Sequence, residues 1–241
     1  MLRHLPSLPA VIADIGGGPG RYTLWLSGLG YRVEHRDLVA LHVDQLRDEL
    51  ASLPPPLPEA PVTTRVADAR ALDLDDATVD AVLLLGPLYH LRRRQDRLAA
   101  LREAGRVLRP GGAVFVAAIS RWAPRLDSEL RARLYEVYPV MRQETPGVER
   151  TGWMPPLFAG SFCGYCHRPQ QLRGELRAAG FQVVDLVSVE GMAFVLPDLA
   201  ERLDDSDGRA VVLDAARATE RVPELLGIGP HLLATAIRPP P

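Results

Sequence analysis

The sequence predicts an α/β fold: a doubly wound, mostly parallel sheet of seven strands, with a helical insertion after the fifth strand. Three observations carry this reading. Short apolar runs closed by Gly, Pro or Asp alternate with segments of helical period. The first three runs each bring an acidic residue, Asp14, Asp37 and Asp68, to the expected C-terminal edge of the sheet. With 241 residues, 47% of them hydrophobic, the chain is long enough for one core of the larger kind. Residues 1–241 are therefore read as a single domain and 121–160 as an insertion within it.

A lead-in with Pro6 and Pro9 precedes the first strand, Val11–Ile15, whose apolar run suits a strand buried on both faces. The turn Gly16-Gly17-Gly18-Pro19-Gly20 follows, then a helix from about Arg21 to Leu29 that Gly28 and Gly30 end. Tyr31 to Leu38 alternates as a second strand with Asp37 near its C-terminal end, and Leu41 to Leu53 has helical spacing. Pro54, Pro55, Pro56, Pro58 and Pro61 predict an extended surface link. Val62–Val66 is a short third strand leading to Asp68-Ala69-Arg70. Val79–Leu85 is a strongly apolar fourth strand, suited to a central position, ending in Gly86-Pro87-Leu88-Tyr89-His90. A helix over Arg92–Leu108 puts Leu98, Leu101, Val107 and Leu108 on its apolar side. Arg109-Pro110-Gly111-Gly112 stops it before a fifth strand, Ala113–Ile119. Arg121–Gly160 then holds an amphipathic helix near Asp127–Arg142 and the loop Trp153-Met154-Pro155-Pro156-Leu157-Phe158. A long insertion at the ligand edge of a sheet reads as a lid or substrate wall. Helix Pro169–Ala179, strand Phe181–Val189, helix Leu199–Arg221 and strand His231–Ile237 complete the sheet. The tail Pro239-Pro240-Pro241 is expected to be disordered.

Composition excludes several classes of function. A net charge of −2 and a pI near 6.3 give no general attraction to nucleic acid or anionic membranes. No run approaches the length of a membrane span, and the N-terminus lacks the apolar core of a secretory signal, so a cytoplasmic location is expected. Every basic side chain apart from histidine is Arg; the absence of Lys removes Schiff-base and lysine-base chemistry. Cys163-Gly164-Tyr165-Cys166-His167 matches the C-x-x-C-H pattern of haem attachment. Haem attachment needs an export route, and two Cys with one His fall short of a closed zinc site. The pair is read as two reduced thiols near a pocket, and no metal is expected.

The glycine turn carries the chemistry. Gly16, Gly18 and Gly20 give G-x-G-x-G, and Arg21 stands where a dinucleotide-binding turn has its last glycine. Asp14-Ile15-Gly16-Gly17-Gly18-Pro19-Gly20 instead resembles the first motif of class I S-adenosylmethionine-dependent methyltransferases. Asp37, 17 residues after Gly20, resembles the acidic residue that in this family accepts hydrogen bonds from the ribose hydroxyls. Asp68 with Ala69 resembles the adenine-contacting pair. Gly86-Pro87-Leu88-Tyr89-His90-Leu91 resembles the motif after the fourth strand in one bacterial small-molecule branch, and Leu108-Arg109-Pro110-Gly111-Gly112 the turn before the fifth strand. The resemblance covers most of the chain. It implies the Rossmann-like methyltransferase fold, with S-adenosyl-L-methionine as cofactor held by Asp14, Gly16, Gly18, Gly20, Tyr22, Asp37, Asp68, Ala69 and Gly86. The chemistry fits: glycines let backbone N–H groups at a helix N-terminus approach the cofactor carboxylate, a carboxylate such as Asp14 suits its ammonium, and Asp37 offers paired acceptors to a diol.

A sulfonium cofactor is already a strong electrophile, so the protein's task is to align a nucleophile and, where needed, take its proton. Tyr89 and His90 sit just past the fourth strand, where the family's substrate-positioning groups lie, and His suits proton transfer near neutral pH. Tyr165 and His167 align by resemblance with an aromatic-plus-histidine segment that lines the pocket in the same branch. These four are the catalytic candidates. The expected partner is a small molecule, methylated on oxygen or nitrogen, with no nucleic acid or membrane. Family members commonly carry N-terminal helices before the first strand, whereas ten residues precede Val11 here; an upstream start, a more open pocket or a covering subunit of a homodimer would each account for that. The competing readings are a non-catalytic or regulatory subunit that keeps the fold, and an oxidoreductase, which Arg21 disfavours.

Overall fold

In the computed structural model, which describes residues 2–52 and 61–240, the elements follow the expected order through the first half of the chain. They are β1 (Val11–Ile15), α1 (Arg21–Gly28), β2 (Arg32–Asp37), α2 (Ala40–Ser52), β3 (Val62–Val66), β4 (Val79–Leu84), α3 (Pro87–His90), α4 (Arg94–Val107) and β5 (Leu108–Ser120). β1 runs parallel to both β2 and β4, with Ile12 opposite Val33 on one side and Ala81 on the other. β3 adds in parallel beyond β2 and β5 beyond β4. The apolar run of β4 occupies the interior because Val79, Ala81, Val82, Leu83 and Leu84 are all buried. α4 buries Leu98, Leu101, Ala104 and Val107, an i, i+3, i+6, i+9 stripe on a helix whose other face is charged.

Two local differences from expectation have physical reasons. Pro87, fixed at a helical φ, opens a four-residue turn of helix between β4 and α4 that apolar periodicity is too short to reveal. α4 ends just before Arg109–Gly112 as expected, but that segment is itself part of β5 instead of a turn ahead of it. The register passes from Val79↔Leu108 to Ala81↔Ala113, so the extra residues bulge out of the ladder. Arg238 holds that bulge from the end of β9 (His231–Ile237) by backbone bonds to Gly111 and Gly112. The proline link over 54–58 lies outside the described residues, as does Pro241.

The chain divides into two units: residues up to 116 with 174–184 and 235 onward, and residues 117–173 with 185–234. The predicted insertion, 121–160, falls wholly within the second. There the amphipathic helix expected near Asp127–Arg142 is not continuous. Pro124–Arg131 forms a π-helical segment, Arg133 turns into the left-handed region at φ 52°, and Leu134–Glu136 forms a short 3-10 turn. A separate helix, α5 (Met141–Thr151), follows. Next come β6 (Trp153–Met154), β7 (Gly164–His167), α6 (Pro169–Ala178), β8 (Gln182–Ser188), α7 (Leu199–Asp204), α8 (Ser206–Thr219) and β9. The helix expected over 199–221 breaks at Asp205, whose extended backbone lets its carboxylate cap α8 by accepting from the Gly208 N–H at 2.6 Å. The end of β5 pairs in parallel with β7, Ser120 opposite His167, and β6 pairs antiparallel with β7. The pairing order is β3-β2-β1-β4-β5-β7-β6, with β9 paired to β5 and β8. The mostly parallel sheet of the prediction is present, with β6 and β7 as additional short strands. Among the described residues no helix is long and apolar enough to cross a membrane.

Candidate functional site

The C-terminal ends of β1, β2, β3 and β4 open onto one cavity of about 480 Å³ in the first unit. Eight predicted residues line it: Gly16, Gly18, Asp37, Asp68, Ala69, Gly86, Tyr89 and His90. Parallel strands bring them together because each strand ends at the same edge, although the residues span positions 16 to 90 of the chain. Gly16, at φ 67°, leaves β1 in a conformation disfavoured for other residues, and a Cβ there would lie 2.6 Å from the Pro87 ring. Gly86 meets it from the other loop, its own missing Cβ falling 3.1 Å from the Gly16 carbonyl oxygen. The two loops thus touch backbone to backbone.

The turn itself is pinned from β2. The Gly18 N–H donates to Asp37 Oδ2 at 2.8 Å, and the Gly18 carbonyl accepts from His35 Nε2 at 3.0 Å. His35 is fully buried; with Nε2 as donor to a carbonyl, its Nδ1 accepts from the Thr64 hydroxyl at 2.8 Å, which selects one neutral tautomer. Burial pushes its pKa below the usual imidazole value and so supports that form. Asp37 Oδ1 accepts from the Val39 N–H at 2.8 Å and from His42 Nδ1 at 3.1 Å. Three protein donors occupy a carboxylate with about four acceptor positions, leaving capacity at its exposed edge for a ligand hydroxyl. Leu38, Val39 and Leu91 supply apolar wall.

Asp68 is held by Arg70 through two guanidinium contacts, Nη2 to Oδ2 at 2.6 Å and Nε to Oδ1 at 3.0 Å, which draw its pKa below the ordinary value. Tyr89 and His90 pack with ring centroids 4.8 Å apart. Burial lowers the His90 pKa and raises that of Tyr89, so near neutral pH the imidazole is a neutral acceptor and the phenol keeps its proton. The loop after them is fixed by Arg97, 2% exposed, which donates to the carbonyls of Leu91 and Arg92 and forms a bidentate pair with Glu175 at 2.7 and 2.9 Å.

Five predicted site residues stand apart from this lining. Asp14 is 1% exposed, lies beneath Gly17 and accepts from the Thr23 hydroxyl at 2.8 Å; desolvation raises its pKa to about 6. Gly20 begins α1 at φ 89°, and a Cβ there would run into the buried Leu46 side chain, so helix packing already requires glycine. Tyr22 is 42% exposed and packs edge-on to Trp25. Tyr165 and His167 belong to the second unit. They share one face of β7, rings 4.8 Å apart, beside buried Arg121, whose guanidinium lies 5.8 Å from the Tyr165 centroid and donates to the Cys166 carbonyl and Gln171. Their position is set by the β5–β7 pairing, which sequence spacing does not encode. Cys163 and Cys166 are free thiols, and burial pushes Cys166 up to about 12, far from a thiolate at neutral pH. Among the described residues no group of three or more His, Cys, Asp or Glu could hold a metal.

Sequence reasoning missed His35 and His42. His35 precedes Asp37 by two residues on β2, and strand alternation placed the two on one face. His42 follows from the start of α2 behind Asp37, a relation visible only once that helix is docked.

A glycine turn at β1, an acidic end to β2 and a ligand cavity at the edge of a parallel sheet define a nucleotide-cofactor enzyme fold. Comparison with known proteins specifies it. Residues 13–116 match the family model described as "Methyltransferase domain". Similar proteins include O-methyltransferase cnsE of Penicillium expansum, 26% identical over 189 residues covering 78% of this chain and 58% of that protein. Among solved structures, a SAM-dependent methyltransferase from Methanosarcina mazei aligns with TM-score 0.62 at 18% identity, over 98% of this chain and 93% of that one. The [4+2]-cyclase SpnF aligns with TM-score 0.59 at 21% identity, over 95% and 75%. The matched segment is less than half of the chain; together with the fold shared with these solved structures it supports a class I S-adenosylmethionine-dependent methyltransferase domain over residues 13–116, with S-adenosylmethionine as its cofactor. The chain spans less than two thirds of the length of cnsE.

Proposed function

We propose that this protein transfers a methyl group from S-adenosylmethionine to oxygen or nitrogen of a small molecule, in the cytoplasm and without a nucleic acid partner. The observation that supports it most is the shared cavity: the pinned Gly18 turn, Asp37 and the Tyr89–His90 pair face one space of about 480 Å³. The donor set suits the cofactor. The N-terminus of α1 behind the glycine turn favours a carboxylate, Asp37 accepts from a ribose diol, and Leu38 and Ala69 flank a flat base, with the edge of Asp68 beside it. The cofactor would supply the electrophilic methyl. His90, neutral and at the exposed side of the cavity, would accept the proton lost from a hydroxyl oxygen or a neutral amine nitrogen as its lone pair takes the methyl and the thioether leaves, and Tyr89 would orient that acceptor by its phenolic hydrogen. The O-methyltransferase activity named for cnsE favours oxygen, while the shared fold of a cyclase shows why the fold alone does not establish transfer. Light scattering of the purified chain tests whether a second subunit covers the pocket as a homodimer.

The test is calorimetric titration with S-adenosylhomocysteine followed by turnover on a panel of phenols, carboxylic acids and amines. The reading expects micromolar binding, a loss of at least about 100-fold in Asp37→Ala, and turnover that falls in His90→Gln with cofactor affinity retained. Binding without turnover on any acceptor would return the regulatory-subunit reading, and no binding would end both.

A further inference from the structure

The second unit has a cavity of its own. About 240 Å³ of space lies between the segment Leu134–Tyr138, helix α5 and the strand–loop region Met154–Phe162. Helix α5 presents Met141, Thr145 and Val148 to it, one helical face at i, i+4 and i+7, each buried. The Thr145 hydroxyl is spent on the Met141 carbonyl at 2.9 Å, so this floor offers no free donor. Tyr138 and Phe158 stack at 5.3 Å with planes 25° apart, forming a flat aromatic side. Phe158 and Phe162 nevertheless remain 51% and 47% exposed at the opening. Apolar interiors normally close to crystal-like density. Here the aromatic rings stand around open space instead. A single charged side chain lines the cavity, Glu144, an exposed residue whose carboxylate makes no hydrogen bond or ion pair with other described residues.

We propose that this chamber binds a ring-bearing apolar small molecule with a basic nitrogen, its ring against Tyr138, Met141 and Phe158 and its nitrogen at Glu144. The size admits one or two fused rings, the stacked pair favours a flat face, and the lone carboxylate selects a cation over an anion. Such a ligand is an acceptor class for the methyl transfer proposed above; that link alone rests on the methyl-transfer reading, whereas the binding site stands without it.

The test uses the full chain without cofactor, so its outcome is independent of S-adenosylhomocysteine binding. N-Phenyl-1-naphthylamine fluorescence should rise saturably, and 1-naphthylmethylamine should displace it at concentrations about fivefold lower than 1-naphthoate. Glu144→Gln, at an exposed position, should abolish that preference while leaving the neutral probe bound. Ser128→Phe, which fills the chamber from its wall, should remove saturable binding. Because Ser128→Phe could unfold the unit, a second readout uses the wild type labelled at methionine methyls: Met141 and Met154, which line the chamber, should shift on adding 1-naphthylmethylamine, and Met192 should not. Absent saturation, equal displacement by amine and carboxylate, or shifts that spare Met141 and Met154 would each overturn the proposal.

Discussion

Asp14 offers the sharpest test of how the glycine turn is built. Its carboxylate is 1% exposed and is supported by the Thr23 hydroxyl, yet desolvation outweighs that bond and the nearby charge of Asp37 adds to it, raising the pKa from 3.8 to about 6. A carboxyl whose folded pKa lies above its unfolded value binds more protons in the native state between about pH 4 and pH 6. Its contribution to stability is therefore complete at low pH and is lost as pH rises through 6. With these two pKa values the loss between pH 4.5 and pH 8 comes to about 2 kcal/mol. The variant Asp14→Asn carries an amide that cannot ionise and so lacks this dependence. Its amide oxygen replaces the acceptor for Thr23, while its NH2 adds a buried donor that costs about 1–3 kcal/mol at every pH. That constant offset cancels when each protein is compared with itself across pH. The measurement is urea unfolding of wild type and variant at pH 4.5, 6 and 8. The difference in unfolding free energy should move by about 2 kcal/mol in favour of the variant from the acid to the alkaline end. Parallel stability curves, or a shift in the opposite direction, would refute the desolvation account and return Asp14 to an ordinary solvated carboxylate.

Asp37→Asn leaves one oxygen to accept where two now serve the Gly18 and Val39 N–H groups, so the apo protein should lose about 1.5–3 kcal/mol in urea titration as well as cofactor affinity. His35→Leu strands the Gly18 carbonyl and the Thr64 hydroxyl, for a loss of about 2–4 kcal/mol at pH 8. The folded His35 pKa is depressed, so the unfolded state takes up the proton first; wild type should lose His35's share of stability as pH falls below about 6.5, and His35→Leu should lack that component. Gly20→Ala places a Cβ against Leu46 at φ 89°, and should lower stability by about 1–3 kcal/mol with unchanged chemistry at the ligand. Glu175→Ala leaves the Arg97 guanidinium buried without its carboxylate, costing about 3–5 kcal/mol and loosening the Leu91–Arg92 segment, detectable as faster amide exchange after α3.

The amino-acid sequence by itself determined the alternation of strands and helices through β5, because period, glycine and proline signals are local and every element there except the four-residue α3 is long enough to show them. It also determined which residues meet at the C-terminal edge of the first unit. In a parallel sheet the end of every strand falls at one edge, so strand order together with the family resemblance placed Gly16, Asp37, Asp68, Gly86 and His90 together. What only the tertiary structure decided depends on pairings distant in the chain. Asp14 and Gly20 carry motif positions, yet their surroundings are Thr23 and Leu46, contacts fixed by the docking of α1 and α2. Tyr165 and His167 were set on β7 by their pairing with the end of β5, and the helix expected over 127–142 broke where Arg133 turned left-handed. Local propensity reads the backbone one turn at a time, whereas the partners of a buried polar group are chosen by the packing of elements far apart in sequence.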